Sequence, residues 1–85
     1  MTGSTEVLFY WRPGCGFCAR LQQLLDGAGV RYRPINIWEE PGAAEAVRSV
    51  TGGDETVPTV VVGEHSMVNP ELEDVLTALN ASRTA

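Results

Sequence analysis

The chain contains no lysine, a single histidine (His65) and only two cysteines among its 85 residues. Without lysine there is no Schiff-base chemistry. With one histidine, a Cys/His catalytic pair or a two-histidine metal site would have to be built around His65, and no metal centre is expected. No Gly/Ser linker, low-complexity tract or internal repeat divides the sequence. It is therefore read as one domain over residues 1–85, with one core and a frayed end at 81–85. No apolar run is long enough for a transmembrane helix. The opening residues 1–6 lack the basic n-region and apolar stretch of a secretory signal, so a cytoplasmic location is expected. A net charge of −5 argues against a phosphate backbone as main partner. Neither nucleic acid nor membrane is expected as a partner, and the chain is expected to be a monomer.

What is present is concentrated in one place. The two cysteines form Cys15-Gly16-Phe17-Cys18, between an apolar run, Val7-Leu8-Phe9-Tyr10-Trp11, and a segment of helical periodicity. The run reads as a central strand covered on both faces, broken by Arg12-Pro13-Gly14. Phe17, Leu21, Leu24, Leu25 and Ala28 then fall on one helical stripe, stopped by Gly27 and Gly29. Residues 31–38 alternate polar and apolar, and Pro34 places that strand at a sheet edge. Pro41 is expected to start a second helix with Ala43, Ala46, Val47 and Val50 inward, ended by Gly52-Gly53. Residues 57–62 read as a strand, Gly63-Glu64 as a turn and residues 65–68 as a returning strand. Asn69 is expected to cap a third helix, with Pro70 at its first position and Leu72, Val75, Leu76 and Leu79 on its core face. The order β-α-β-α-β-β-α implies an α/β fold, a four-stranded mixed sheet flanked by three helices.

Two cysteines three positions apart beside a βαβ pattern read as a redox pair. In a reducing compartment such a disulfide is transient and catalytic more often than structural. A staple closing so short a loop adds little chain-entropy stabilisation, and a metal site needs about four ligands. Cys15 at the start of the helix faces unpaired N–H groups and the positive end of the helix dipole, which stabilise a thiolate. Thiols so placed ionise at about pH 3.5–7.5, against about 8.5 for a free thiol. Cys18, one turn further in, is expected to be more buried. Cys15 is thus the expected nucleophile, and Cys18 resolves the mixed disulfide or is dispensable. Arg12 either adds positive charge near the sulfur, holds a substrate carboxylate, or is a solvated surface arginine. Phe17 either lines a substrate groove or packs on the helix face. Trp38 reads as packing at the rim, and His65 as a surface residue.

These residues resemble the glutaredoxin branch of the thioredoxin superfamily over nearly the whole chain. Arg12 stands where that family usually carries a basic residue. Cys15-Gly16-Phe17-Cys18 matches its active-site motif, and Thr56-Val57-Pro58 its cis-proline motif. The resemblance implies the thioredoxin fold, a cis Val57-Pro58 bond and thiol-disulfide oxidoreductase activity. It also implies a substrate groove formed by Arg12, Gly16, Phe17, Thr56, Val57, Pro58, Val68 and Asn69. Three departures narrow the substrate. Phe9 replaces the buried aspartate of thioredoxins. No proline lies between the cysteines. Val68-Asn69-Pro70-Glu71 stands where glutathione-using members carry Gly-Gly and acidic residues. Residues 49–60 together with Val68-Asn69-Pro70 look like the mycoredoxins of mycothiol-using bacteria, although Trp11-Arg12-Pro13-Gly14 differs from the Trp-Cys pairing expected of them. That resemblance implies mycothiol as co-substrate, reduction of its mixed disulfides with proteins, and no tightly bound cofactor. A dithiol electron donor to a reductase such as ribonucleotide reductase, and a dimeric iron–sulfur carrier, are the alternatives.

Overall fold

The computed structural model describes residues 6–84. The chain runs β1 (Val7–Trp11), α1 (Gly16–Gly27), β2 (Arg33–Asn36), α2 (Ala43–Thr51), β3 (Thr59–Val62), β4 (His65–Val68) and α3 (Leu72–Thr84), the order expected. Its four strands form one mixed sheet in the order β2-β1-β3-β4. β1 lies parallel to β2, with Leu8 opposite Arg33 and Trp11 opposite Asn36. It is antiparallel to β3, and β3 and β4 form an antiparallel hairpin. Pro34 lies in the edge strand β2, where its missing N–H costs little.

Alternation along β1 supplies both faces of the core, since successive side chains of a strand point to opposite sides. Val7 and Phe9 pack with Cys18, Leu21 and Leu25 of α1 and Val75 and Ala78 of α3. Leu8 and Tyr10 pack on the other face against Ile35, Ile37, Ala43 and Val47. Both faces of the central strand are therefore covered, as its unbroken apolar run requires. α1 ends in a Schellman motif: Gly29 takes a left-handed φ of 72°. Its N–H donates to the Asp26 carbonyl at 3.1 Å and the Val30 N–H to the Leu25 carbonyl at 3.0 Å.

Several expectations are corrected. The buried stripe of α1 is Cys18, Leu21 and Leu25, whereas Phe17 is 68% and Leu24 38% exposed. A cysteine serves here as a small core residue, which turns the helix relative to a stripe drawn through Phe17. α2 starts at Ala43 rather than Pro41, because Gly42, its N-cap, takes a left-handed φ of 81° that ends the preceding turn. Asn69 does not cap α3. It adopts a positive φ of 49°, and its N–H donates to the Pro58 carbonyl at 2.7 Å. The cap is Glu71, whose carbonyl accepts from the Asp74 N–H at 3.0 Å, while its own N–H donates to the Asp74 carboxylate at 2.9 Å. Ala78 is buried where Leu76 was expected, and Leu76 is exposed. The helix runs through Thr84. Residues 1–5, read for a signal sequence, and Ala85 lie outside the described residues.

The rotation of α1 is testable. Leu25→Ala empties a fully buried site and should cost about 2–5 kcal/mol. Leu24→Ala should cost less than about 1 kcal/mol. Urea unfolding of both variants measures the difference, and equal losses would contradict the assigned face.

Candidate active site

Cys15 is the N-cap residue of α1, with extended backbone angles (φ −93°, ψ 104°). The backbone N–H of Cys18 donates to its Sγ at 3.1 Å, the bond a serine or aspartate oxygen makes at an ordinary N-cap. Cys15 and Cys18 are joined in a disulfide, their Cα atoms 5.2 Å apart. The two sulfurs differ in surroundings. Cys15 is half-buried, whereas Cys18 is 2% exposed in a cluster whose buried members, Phe9 included, are all apolar. No buried carboxylate stands beneath Cys18 among the described residues.

The Val57-Pro58 peptide bond is cis. The Val57 carbonyl oxygen lies 3.7 Å from Cys15 Sγ, and no acceptor among the described residues takes the Val57 N–H. Thr56 is exposed and Pro58 buried. The Thr56 carbonyl accepts from the Thr59 hydroxyl at 2.8 Å, which ties the loop to the start of β3. The bond from Asn69 to the Pro58 carbonyl then places the β4–α3 segment against the same loop.

The candidate groove residues thus separate into groups. Cys15, Cys18, Thr56, Val57, Pro58 and Asn69 are brought together by bonds or by direct sequence neighbours. Gly16 is the first residue of α1, with open space where a Cβ would lie. Phe17 presents its ring to solvent, so it does not pack on the helix face. Val68 is 43% exposed at the end of β4. Arg12 donates to the neighbouring Pro13 carbonyl at 3.5 Å, and no described contact ties it to either sulfur. A shallow recess of about 90 Å³ runs between α1 and the start of α3, lined by Phe17, Arg20, Leu24, Asn69, Pro70 and Glu71. A larger cleft of about 1020 Å³ lies at the opposite end of β1, among Val7, Val30, Arg31, Leu76 and Leu79, away from the cysteines.

Two features escaped the sequence reading. The bond from the Glu71 N–H to the Asp74 carboxylate forms half of a capping box, and Glu71 lacks the Ser or Thr side chain that would signal it in the sequence. Trp38 is 64% exposed, not packed. Among the described residues, no group of three or more His, Cys, Asp or Glu side chains could hold a metal ion, and no helix is long and apolar enough to cross a membrane.

The unequal burial predicts unequal reactivity. In the reduced protein at neutral pH, iodoacetamide should modify Cys15 at least about tenfold faster than Cys18, because thiolate character and access control the rate. Peptide mapping reads the ratio, and equal labelling would contradict the assigned asymmetry.

Comparison with known proteins agrees with this geometry. The glutaredoxin family model matches residues 7–67. A Mycobacterium tuberculosis protein named "Putative glutaredoxin Rv3198A" is 38% identical over 77 residues, covering 89% of this chain and 92% of its own. The crystal structure of glutaredoxin (grx-1) from Archaeoglobus fulgidus superposes with a TM-score of 0.73 at 29% identity, over 91% of this chain and 88% of that one. The glutaredoxin-like NrdH-redoxin of Escherichia coli, described as having a thioredoxin-like activity profile, superposes with a TM-score of 0.65 at 28% identity, over 74% and 80%. With a disulfide at a helix N-terminus beside a cis-proline loop, on a sheet of order β2-β1-β3-β4, the chain belongs to the glutaredoxin family and is a thiol-disulfide oxidoreductase of the thioredoxin fold.

Proposed function

We propose that the protein reduces mixed disulfides between proteins and an uncharged low-molecular-weight thiol, mycothiol, in a reducing, cytoplasmic compartment, with Cys15 as nucleophile. The observation that carries this reading is the start of α3. A helix N-terminus is a natural seat for a carboxylate, and glutathione carries two carboxylates. Here the Glu71 N–H is already bonded to the Asp74 carboxylate at 2.9 Å, and Glu73 and Asp74 lie in the first turn. A further carboxylate would meet like charges there, on a chain of net charge −5. Mycothiol has a sugar-inositol body and no carboxylate. The recess lined by Phe17, Arg20, Asn69 and Glu71 offers polar groups over an apolar floor to such a body.

The chemistry follows from the two sulfurs. The Cys15 thiolate attacks the mycothiol sulfur of the mixed disulfide, forming a new S–S bond. The old S–S bond breaks, and the target cysteine leaves as a thiolate that takes a proton from water. The free N–H and the carbonyl of Val57 pair with the backbone of the bound substrate. Gly16 leaves the helix start free of a bulky neighbour, and Phe17 supplies an apolar wall. A second mycothiol thiolate then attacks the mycothiol sulfur on Cys15, releasing the Cys15 thiolate and mycothiol disulfide. Cys18 is poorly suited to compete, because it is buried among apolar neighbours and no buried carboxylate among the described residues can take its proton.

A second reading has its own support. The Cys15–Cys18 disulfide itself shows that the two sulfurs reach each other. The likeness to NrdH-redoxin points to a dithiol electron donor that cycles through this bond.

Matched mycothiol and glutathione mixed disulfides of one protein discriminate the readings. The account expects kcat/KM at least about tenfold higher for mycothiol, which corresponds to about 1.4 kcal/mol. It also expects abolition by Cys15→Ser and retention of most activity by Cys18→Ser. A preference for glutathione would overturn the mycothiol reading. Loss of activity in Cys18→Ser would establish the dithiol cycle in its place.

A further inference from the structure

Trp38 is a large apolar side chain left in water at the catalytic end of the sheet. It follows β2, whose last residue, Asn36, pairs with Trp11 at the end of β1. The backbone around it is held firmly. The Ile37 N–H donates to the Trp11 carbonyl at 2.9 Å, and the Glu39 and Glu40 N–H groups both donate to the Asn36 carbonyl at 3.0 Å. The Trp38 N–H donates to the Asn36 side-chain oxygen at 2.9 Å. Ile37 is buried beneath this turn, while the indole is 64% exposed. Neither packing nor the turn itself accounts for an indole at this position.

Val57 connects this turn to the reacting sulfur. Its carbonyl lies 3.7 Å from Cys15 Sγ, and its side chain packs against the cluster that contains Ile37. An extended substrate segment pairing with the free Val57 N–H, with its own cysteine at Cys15, advances about 3.3 Å per residue. A residue two or three positions from that cysteine therefore lies about 7–10 Å along the segment from Cys15. The sign of the partner follows from the surroundings. An indole face attracts cations. Glu39 and Glu40 beside it are exposed, and neither is in an ion pair among the described residues.

We propose that Trp38 is a specificity residue, and that its indole receives a lysine or arginine side chain two or three positions from the reacting cysteine of a protein substrate. This rests on the redox role of Cys15 and not on which small thiol regenerates it.

The test uses the full chain with Cys18→Ser, so that adducts stay on Cys15. Reduced protein is equilibrated with symmetrical disulfides of short extended peptides. These are identical except for lysine, leucine or glutamate at the flanking positions, and 2-hydroxyethyl disulfide serves as a small reference. Each exchange converts one peptide disulfide into a Cys15–peptide disulfide and one free peptide thiol, and mass spectrometry reads the equilibrium. The lysine peptide should be favoured over leucine by about 2- to 5-fold, the range of an exposed cation–π contact, and over glutamate by more. Trp38→Ala should lower the lysine-to-leucine ratio to the part that Glu39 and Glu40 supply, and leave the 2-hydroxyethyl equilibrium unchanged. Trp38→Phe should keep part of the preference. A lysine preference undiminished in Trp38→Ala overturns the proposal, as does a leucine preference lost in that variant. Absence of any peptide adduct overturns it too. No mycothiol enters the experiment, so failure of the mycothiol reading leaves its result standing.

Discussion

The hydrogen bond from the Cys18 amide to the Cys15 sulfur, 3.1 Å long, joins the architecture of the chain to its chemistry. It occupies an orphan donor at the start of α1 with a sulfur instead of an oxygen. For that bond to form, Cys15 must lie outside the helix with extended angles and Cys18 must lie inside it. One sulfur is thereby left toward solvent and the other is turned into the core. The buried stripe Cys18-Leu21-Leu25 and its packing on Val7 and Phe9 keep the helix in that rotation. The sheet in turn carries the Val57 carbonyl to 3.7 Å from the exposed sulfur.

The same constraint separates reactivity from selectivity. The Cys18 amide is aimed at the Cys15 sulfur, and a donor to a sulfur favours its anionic form. Around Cys18 the neighbours are apolar, and Phe9 stands where a carboxylate would otherwise assist it. In the proposed reading, what the pair acts on is set elsewhere. The β4–α3 segment is tied to the proline loop through Asn69, and at its helix start the Glu71 N–H is taken by the Asp74 carboxylate. The Arg48–Glu55 ion pair, 2.6 Å, links α2 to the loop leading into Val57 on the other side.

Much of this is legible in the residues, for physical reasons. The unbroken run Val7–Trp11 marks a strand buried on both faces, and Pro34 marks an edge. Cys15 before a helical stripe marks a cap. The errors arise where two local readings compete. Phe17 and Leu24 share an arc with Leu21 and Leu25, and only the packing of Cys18 into the core decides which edge of that arc is wet. Asn69-Pro70 has the chemistry of a helix start. Closing the β3–β4 hairpin against the proline loop nevertheless demands the Asn69 N–H for Pro58, and the helix begins later. Trp38 reads as packing because indoles bury large area, while its exposure depends on Asn36 fixing a turn that no periodicity encodes. The resemblance to glutaredoxins, not the local sequence, points to the cis Val57-Pro58 bond.

The geometry at the start of α1 favours the thiolate form of Cys15. Thiolate ultraviolet absorbance of the reduced Cys18→Ser protein, followed as a function of pH, tests it directly, because the substitution leaves the backbone N–H at position 18 in place. The account predicts that the Cys15 thiolate absorbance appears well below the ordinary thiol value. Absorbance that appears only near the ordinary thiol value of about 8.5 would contradict it.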